Sequence, residues 1–449
     1  MAVEITLGNG KPNFKTSTYR AARQLAGRAN FQYLDNIAIT PSFFRHFLER
    51  SGALSAKTNE DAQKRICRAE LSPRELSQVK DAVYSLPAEG LNRLCLFVRS
   101  DEPWQGAGTG LGESYIAIRF RKSPKAFIDS IAYSIKLALA SQFDELGNVA
   151  EFKRLKGAVE DFGILLMPVF ASFYPNKADS RKIFAPSISV NFLGKAYGNA
   201  LMQCSRGFSS KSYSGARAAE YARGRSFSLI DLDGNTQIDC TSSENATFHP
   251  GMETIPTECI ERNRFHLTSG LDARVSKLLE GGNCYFEAVR KDHYPSKNPQ
   301  WALTQHTLVD FPLVSRPPVD SASIVPLALD VVGMEVARTK GVHEVDPSEF
   351  QDSIDFNREN KGYLALCHLG SLDGTKDLPL SAFSNAGAVI FAYSQRENPT
   401  LSHLSGYLRE LKIPVLITPD YGEFEKIKKH GNYVVYANEF LDGGFLARA

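Results

Sequence analysis

The chain has 449 residues, of which 43% are hydrophobic and 23% are charged, and its formal net charge is +2. These values are typical of globular proteins, and the length allows two or three domains with substantial cores. The nearly neutral charge gives no indication of binding to nucleic acid or to an anionic membrane, and the sequence has no run of about 18 apolar residues that would span one.

The cysteines and the first residues indicate a compartment. The seven cysteines are dispersed and none forms a CxxC pair: Cys67, Cys95, Cys204, Cys240, Cys259, Cys284 and Cys367. Such a set predicts reduced, mostly buried thiols rather than disulfides or structural zinc. The opening stretch, MAVEITLGNGKPNFK, lacks the apolar core of a signal peptide. We therefore expect a cytoplasmic protein.

Helices and strands are interspersed through the first 315 residues. Apolar residues at helical spacing predict a helix in FKTSTYRAARQLAGRANF and a second, Pro-initiated helix from Pro41 that ends at Gly52. A glycine-rich loop occupies 104–114, and the Ser-, Gly-, Arg- and Asn-rich stretch 205–262, a possible insertion, has no assignment. The other predicted elements are helices over 59–86 and 124–143 and strands over 91–100, 114–120, 163–170, 186–194, 282–292 and 299–311, the last two as a pair.

A linker is predicted at 316–325, because the paired prolines and small polar residues of SRPPVDSAS break both helical and strand periodicity. Beyond it, predicted strands and helices alternate over 361–369, 386–393, 403–411, 413–418, 424–431 and 432–439. Such alternation is typical of a small α/β layer domain, which we assign to 326–449. The whole chain is therefore expected to be of the α/β or α+β class.

One histidine lies at a position suited to phosphoryl chemistry. His403 follows the predicted strand AGAVIFAY and the loop SQRENPTLS, and Ser402 is a suitable N-cap for a helix that begins there. Backbone amides at a helix N-terminus favour anions, and neutral imidazole is a competent nucleophile near pH 7. A histidine at such a corner is also typical of a capping or packing residue, so both roles stay open on this ground.

The residues around His403 form a more specific pattern. In LSHLSGYLRELKIPVL, a Ser-His pair is followed six and seven residues later by Arg-Glu and then by an Ile-Pro strand. This pattern resembles the phosphohistidine signature of the phosphoenolpyruvate (PEP)-utilising mobile domain, the swivelling domain of PEP synthase and pyruvate phosphate dikinase. The resemblance implies a small β/β/α domain in which His403 carries the phosphoryl group and Thr400, Ser402 and Arg409 support it.

The first half, 1–315, resembles the ATP-grasp nucleotide-binding domain of the same family. The segments that carry the resemblance keep the family's order: a lysine-containing helix start, YLDNIAITPSFFRHFLERSG, LCLFVRS, GTGLGESY, YFEAV and ALTQHTL. In the family these segments hold ATP and Mg²⁺, so the resemblance implies both as ligands of this chain. Phosphoryl transfer depends on positioning and charge neutralisation, which a Lys/Arg clamp with Mg²⁺ provides.

The same resemblance assigns roles to individual residues. Lys15, with Lys11 as the alternative, contacts phosphate, and Arg99 binds the β- and γ-phosphates. Glu113 and Ser114 approach ATP and its metal. Glu287 and Gln305 bind Mg²⁺, and Gln305 also contacts the phosphates; their hard oxygen donors suit that ion. Taken singly, Arg99 is equally typical of a surface ion pair, and Glu287 and Gln305 of solvent-facing strand residues.

Four departures from the family pattern bear on ATP cleavage. Thr307 stands where the family has an arginine, Asp101 where it has a second serine, and Met167 or Pro168 where many members have a glutamine near the adenine. An insertion, KDHYPSKNP, separates the Glu and Gln strands. A protein that binds nucleotide without cleaving it is therefore an alternative.

The resemblance implies a two-stage reaction. His403 attacks the β-phosphorus of ATP, which gives AMP and pyrophosphoryl-His403. The 326–449 domain then swings about the linker and delivers one phosphoryl group to an acceptor. The chain has no segment of the size of the PEP/pyruvate barrel of the dikinases, so we expect a small-molecule acceptor other than pyruvate. A phosphocarrier subunit whose acceptor site lies on a partner protein is a further alternative.

Overall fold

The structure is a computed structural model, and it describes most of the chain. The described residues are 2–87, 95–103, 114–118, 124–144, 146–157, 161–168, 183–184, 188–196, 199–205, 226–231, 252–253, 274, 277–278, 280, 284–291, 300–308, 314–327, 330–346, 349–368, 378–392, 403–418, 421–427, 430–438 and 443–449. They form a mixed α/β protein with several sheets, as expected for the α+β class.

The helices and strands have the following bounds. The α-helices are α1 (Phe14–Ala21), α2 (Arg23–Arg28), α3 (Pro41–Ser51), α4 (Asn59–Arg68), α5 (Pro73–Ser85), α6 (Pro124–Ala140), α7 (Asn148–Lys156), α8 (Phe350–Glu359) and α9 (His403–Glu410). The strands of the first half are β1 (Glu4–Leu7), β2 (Gln32–Tyr33), β3 (Asn36–Ile39), β4 (Cys95–Asp101), β5 (Ser114–Ile118), β6 (Gly163–Pro168), β7 (Ile183–Phe184), β8 (Ile188–Ala196), β9 (Asn199–Ser205), β10 (Ser226–Asp231), β11 (Met252–Glu253), β12 (Cys284–Lys291) and β13 (Gln300–Leu308). The remaining strands are β14 (Ile324–Val325), β15 (Asp330–Val332), β16 (Met334–Lys340), β17 (Val342–Val345), β18 (Leu364–His368), β19 (Ala388–Ala392), β20 (Val415–Thr418), β21 (Asn432–Asn438) and β22 (Gly443–Arg448).

Local sequence sets the helix ends in the first half. Pro41 starts α3, and Gly52 ends it in the left-handed conformation at φ +72°. The predicted helical region 59–86 divides into α4 and α5, because Ser72 and Glu75 form a capping box around Pro73. Reciprocal hydrogen bonds between Ser72 and Glu75 satisfy amides that would otherwise be unpaired at the start of α5.

Two sheets face each other in the first half. One has the strand order β1-β3-β6-β4-β5, and the other has the order β10-β9-β8-β12-β13-β2. The predicted pairing of 282–292 with 299–311 is confirmed as the antiparallel β12–β13 pair. Leu165 and Met167 of β6 pack with Val289 of β12 and Ala302 of β13 in a buried cluster between the sheets. The carboxyl end of β4 and the middle of β12–β13 are thereby brought together.

Two further sheets form the C-terminal unit. Strands β17, β18, β19 and β20 run parallel, with β15 antiparallel at the edge, and the second sheet has the antiparallel order β14-β22-β21-β16. Leu366 and Ile390 on one face of the parallel sheet pack towards Val435 and Leu446 of the second sheet. The other face, which includes Phe391, packs against residues of the helices. The layers are therefore sheet, sheet and helix.

Several details differ from the sequence-based expectations in this unit. The last two residues of the predicted linker, 324–325, form β14 and pair with β22. The predicted helix over 424–431 is a short 3-10 helix, Tyr421–Lys426. The structure also contains β15, β16, β17, α8 and β22, which we did not predict from the sequence.

Helix α7 joins the two halves. The Asn148 side chain donates to the Leu378 carbonyl at 3.2 Å and accepts from the Leu380 amide at 2.5 Å. Further along the same helix, Phe152 contacts the Tyr407 ring of α9, with ring centroids 5.3 Å apart. Buried residues of both halves form one continuous hydrophobic cluster through this contact.

None of the helices within the described residues is both long enough and apolar enough to cross a membrane.

Candidate functional site

The Arg99 guanidinium is the centre of the candidate site. It projects from β4 to the β12–β13 pair, where Nη2 donates to Glu287 Oε2 at 2.7 Å and to Gln305 Oε1 at 3.2 Å. Nη1 donates to the Thr304 carbonyl at 2.8 Å. Arg99 is only 6% exposed, so the alternative that it is a surface ion-pair residue is wrong. A buried cation therefore connects one sheet to the other.

Register explains why Glu287 and Gln305 meet. They are directly opposite each other in the antiparallel β12–β13 pair, so their side chains lie on the same face. A β-bulge follows Glu287, and such bulges re-aim side chains. The Tyr285 hydroxyl, two residues before Glu287, donates to Glu287 Oε1 at 2.8 Å. Both carboxylate oxygens are thus held in place, one by Tyr285 and one by Arg99.

Lys15 lies at the start of α1, beside the end of β4. Its Nζ donates to the Ser100 carbonyl at 2.5 Å and forms an ion pair with Glu102 at 2.8 Å. The side chains of Lys15 and Glu102 are 7% and 5% exposed. The alternative residue, Lys11, is exposed. The burial of Lys15 beside the Arg99 strand favours Lys15 as the residue of interest.

Two carboxylates near Lys15 were not predicted as site residues. Asp101 and Glu102 are 1% and 4% exposed. Asp101 Oδ1 accepts from the Thr16 amide at 3.1 Å, and burial raises the pKa of this carboxyl from 3.8 to about 6. The signal in the sequence was the acidic pair directly after the Arg-Ser strand end. When all are ionised, these two carboxylates and Glu287 exceed the two cations, Lys15 and Arg99, by one charge.

Two buried polar atoms at the site lack a hydrogen-bond partner within the described part of the chain. Arg99 Nε and Thr307 Oγ1 are buried and have no hydrogen-bond partner among the residues that the structure describes. Thr307 lies two residues after Gln305 on the same strand, so it is on the same face. Buried polar groups are normally paired. Two unused groups beside Glu287 and Gln305 are therefore consistent with a ligand that supplies the missing partners.

The donor set fits a hard divalent cation in part. Glu287 and Gln305 place oxygen atoms on one face, and the local excess of negative charge favours a cation. These oxygens already accept hydrogen bonds from Arg99 and Tyr285, so a cation would bind through their remaining lone pairs. Within the described part of the chain, no group of three or more His, Cys, Asp or Glu residues could hold a metal ion. A Mg²⁺ ion at Glu287 and Gln305 would accordingly take its other ligands from phosphate oxygens and water.

Of the remaining predicted site residues, the structure describes three. Ser114 begins β5 and pairs with Arg99 in register, so its backbone lies beside the site. His403 begins α9, as its sequence position predicted, and the partly buried Arg409 lies near the end of that helix. Glu113, Thr400 and Ser402 lie outside the described residues.

Helices α7 and α9 run side by side in the same direction. Phe152 contacts Tyr407, and four residues further along α7, Lys156 Nζ lies 3.6 Å from Glu410 Oε2. Glu410 is the last residue of α9 and His403 the first, so about 10 Å of helix separates them. His403 therefore lies towards the Asn148 end of α7.

The other end of α7 connects to the Lys15 region. Lys153 forms an ion pair with Asp161 at 3.3 Å. The Asn13 side chain donates to the carbonyls of both Asp161 and Asp101, at 2.8 Å each. Asn13 directly precedes α1, which carries Lys15. These contacts connect the segment that follows α7 to the residues that precede Lys15.

Comparison with known proteins assigns neither a family nor a function to the chain. No protein-family model matches the chain, and no curated protein matches it in sequence.

Proposed function

We propose that this protein is an ATP-dependent phosphotransferase of the dikinase type. It would cleave ATP to AMP and phosphate through a phosphorylated His403 and phosphorylate a small molecule other than pyruvate. The observation that carries the proposal is the Arg99 guanidinium, which joins Glu287 and Gln305 while its Nε has no partner among the described residues. A buried cation next to paired oxygen donors suits a polyphosphate with its Mg²⁺ ion.

The proposed binding step uses the residues of both sheets. Arg99 and Lys15 neutralise the β- and γ-phosphates, and Thr307 Oγ1 offers a further hydrogen bond. Glu287 and Gln305 would hold Mg²⁺, and the ion would supply positive charge to the phosphate oxygens. Because Arg99 spans from β4 to β12–β13, ATP bound there would contact both sheets of the first half.

The proposed chemistry starts with neutral His403 as nucleophile. Its Nε2 forms a bond to the β-phosphorus while the bond between that phosphorus and the α,β-bridging oxygen breaks, and AMP leaves with the oxygen. Water then removes the terminal phosphoryl group as inorganic phosphate. An acceptor hydroxyl finally attacks phosphoryl-His403, loses its proton to solvent and returns the imidazole.

The proposed cycle requires the C-terminal unit to move. In the docked arrangement α9 packs against α7 through Tyr407 and Glu410. His403 would reach the β-phosphate only after this unit leaves α7 and turns. Domain motions of this kind accompany many transfer reactions.

The identity of the nucleotide product tests the proposal. Wild-type protein with Mg²⁺ and ATP should release AMP in a slow, acceptor-stimulated reaction, and both Arg99→Met and His403→Ala should abolish it. The matched control is His430→Ala, which alters an exposed histidine of the same unit and should leave AMP release unchanged. Release of ADP instead of AMP, or AMP release that survives His403→Ala, would contradict the proposal.

A second candidate is a protein that binds nucleotide without cleaving it. The Lys15–Glu102 ion pair favours binding without cleavage over the full reaction, because a lysine held by a buried carboxylate is less able to neutralise charge on the transferring phosphates. This candidate predicts nucleotide binding with neither AMP nor ADP as a product.

A further inference from the structure

Glu102 has no role in the reaction proposed above, yet it is among the most buried charges of the site. Its Oε2 lies 2.8 Å from Lys15 Nζ, and its Oε1 accepts from the Ser100 hydroxyl at 2.8 Å. Both oxygens are thus engaged, and the side chain is 5% exposed. Glu287, the other buried partner of a cation, has a proposed ligand in Mg²⁺. Glu102 has none.

A triphosphate and Glu102 compete for the same lysine. Lys15 Nζ already donates to the Ser100 carbonyl and to Glu102, so a phosphate oxygen at Nζ would lie next to the Glu102 carboxylate. Two anions at contact distance in a buried site repel each other strongly. Phosphate binding at Lys15 therefore requires the carboxylate to withdraw.

The backbone allows that withdrawal. Glu102 directly follows the last residue of β4, so its side chain lies outside the strand ladder. The Glu102 carbonyl accepts from the Phe14 amide at 3.1 Å, which ties this residue to the start of α1. Rotation of the side chain would break its contacts with Lys15 and the Ser100 hydroxyl, but neither this backbone bond nor the pairing of β4, and Lys15 would keep its bond to the Ser100 carbonyl.

We propose that Glu102 sets the nucleotide affinity of this site, because it occupies Lys15 in an ion pair that the triphosphate of ATP must displace. This inference rests on the proposed function. On this inference, Glu102 weakens ATP binding. When no nucleotide is bound, its carboxylate balances the positive charge of Lys15 and holds that side chain in place. An unpaired buried lysine would be costly in the empty protein.

Calorimetric titration with Mg²⁺ and ATP tests the inference in four proteins: wild type, Glu102→Gln, Lys15→Met and the double variant. Glu102→Gln should bind about tenfold more tightly than wild type, because the competing charge is gone. In the Lys15→Met background the same substitution should give no gain. The control Glu60→Gln changes the net charge equally on an exposed face of α4 and should leave affinity unchanged.

Each other outcome is informative. Equal or weaker binding by Glu102→Gln, or a gain that persists without Lys15, would overturn the inference while leaving the proposed function standing. Absence of binding in all four proteins would remove both. If Glu102→Gln does not fold, Glu102→Asp keeps the charge but shortens the side chain by one methylene, and it should give a smaller increase in affinity; unchanged affinity in that variant would overturn the inference.

Discussion

Arg99 combines a structural and a proposed functional role in one side chain. Its guanidinium holds Glu287, Gln305 and the Thr304 carbonyl, so it fixes the distance between the two sheets of the first half. The Nε donor of the same group has no hydrogen-bond partner among the residues that the structure describes. Structural and ligand-binding effects of a substitution must therefore be separated by experiment.

Replacing Arg99 by methionine should destabilise the protein without nucleotide. The change leaves the Glu287 carboxylate, 13% exposed, without its ionic partner, which costs about 3–5 kcal/mol in comparable buried pairs. The double variant Arg99→Met/Glu287→Gln should recover much of this loss, because no unpaired charge remains. Urea unfolding measures all three proteins. A loss below about 1 kcal/mol for Arg99→Met would contradict the buried-pair description.

Asp101 should give the site a characteristic pH dependence. The pKa of Asp101, about 6 in the folded protein, lies above its ordinary value of 3.8, so the folded state binds more protons between these pH values. Its contribution to stability therefore falls as the pH rises from about 4 to 6, by about 3 kcal/mol in total. His306 acts oppositely, because burial lowers its pKa from 6.5 to about 4 and stability falls as the pH drops through that interval.

A comparison with Asp101→Asn isolates the effect of Asp101. The amide oxygen can still accept from the Thr16 amide, but the buried charge is absent. Relative to wild type, this variant should gain stability as the pH rises from about 4 to 6 and keep the gain above pH 6. Denaturant unfolding at several pH values gives the difference. A difference that is constant with pH would show that Asp101 titrates as an ordinary carboxyl.

The sequence predicted part of this site. Arg99, Glu287 and Gln305 were found through the order of short segments, although 188 residues separate Arg99 from Glu287. Their direct contact depends on the register of β12 and β13, which no local pattern specifies. Asp101 and Glu102 were missed as site residues because acidic residues at a strand end are usually solvated, and only the packing of α1 against β4 buries them.

Helix α7 is the element through which the C-terminal unit docks on the first half. Its contacts to the C-terminal unit come from Asn148, Glu151, Phe152 and Lys156, which share one face of the helix. Glycines in the left-handed conformation flank it at both ends, Gly147 at φ +70° and Gly157 at φ +65°. The helix is therefore a short, well-delimited unit between the two halves.

Asn148→Ala should loosen this docking. The substitution removes two hydrogen bonds to the 378–380 backbone and leaves the Leu380 amide unpaired, at a cost of about 1–3 kcal/mol. Hydrogen exchange of the 378–392 amides should become faster. Ala150→Ser, an exposed change on the same helix, is the control and should have no effect. Unchanged exchange in Asn148→Ala would mean that α7 does not hold the C-terminal unit.

Element prediction succeeded where the residue pattern alone decides the structure. The caps at Pro41 and Gly52 fixed α3, and the apolar runs of β18, β19 and β20 matched their burial. The strands β16 and β17 were missed, because exposed charged residues interrupt their apolar patterns, Arg338 and Lys340 in β16 and Glu344 in β17. Their place in a sheet is determined by pairing with β21 and β18, which are distant in the chain.

For the whole molecule, the continuous core between the halves conflicts with free motion of the C-terminal unit. Phe152, Tyr407 and their neighbours would be exposed if the unit left α7. The proposed transfer therefore includes an undocking step with an energetic cost.

If undocking limits the rate, Asn148→Ala should phosphorylate His403 several-fold faster than wild type in rapid-quench experiments, whereas Ala150→Ser should match wild type. A slower reaction would indicate that the docked arrangement is itself the reactive one.

The most direct test of the whole account is the appearance of a phosphorylated histidine. Wild-type protein, His403→Ala and Arg99→Met are each incubated with Mg²⁺ and ATP labelled at the β-phosphate, without acceptor. We expect acid-labile, base-stable label to appear on wild-type protein while a stoichiometric amount of AMP is released. Neither variant should acquire label. Label that persists in His403→Ala, or wild-type protein that binds ATP yet acquires no label, would contradict this account.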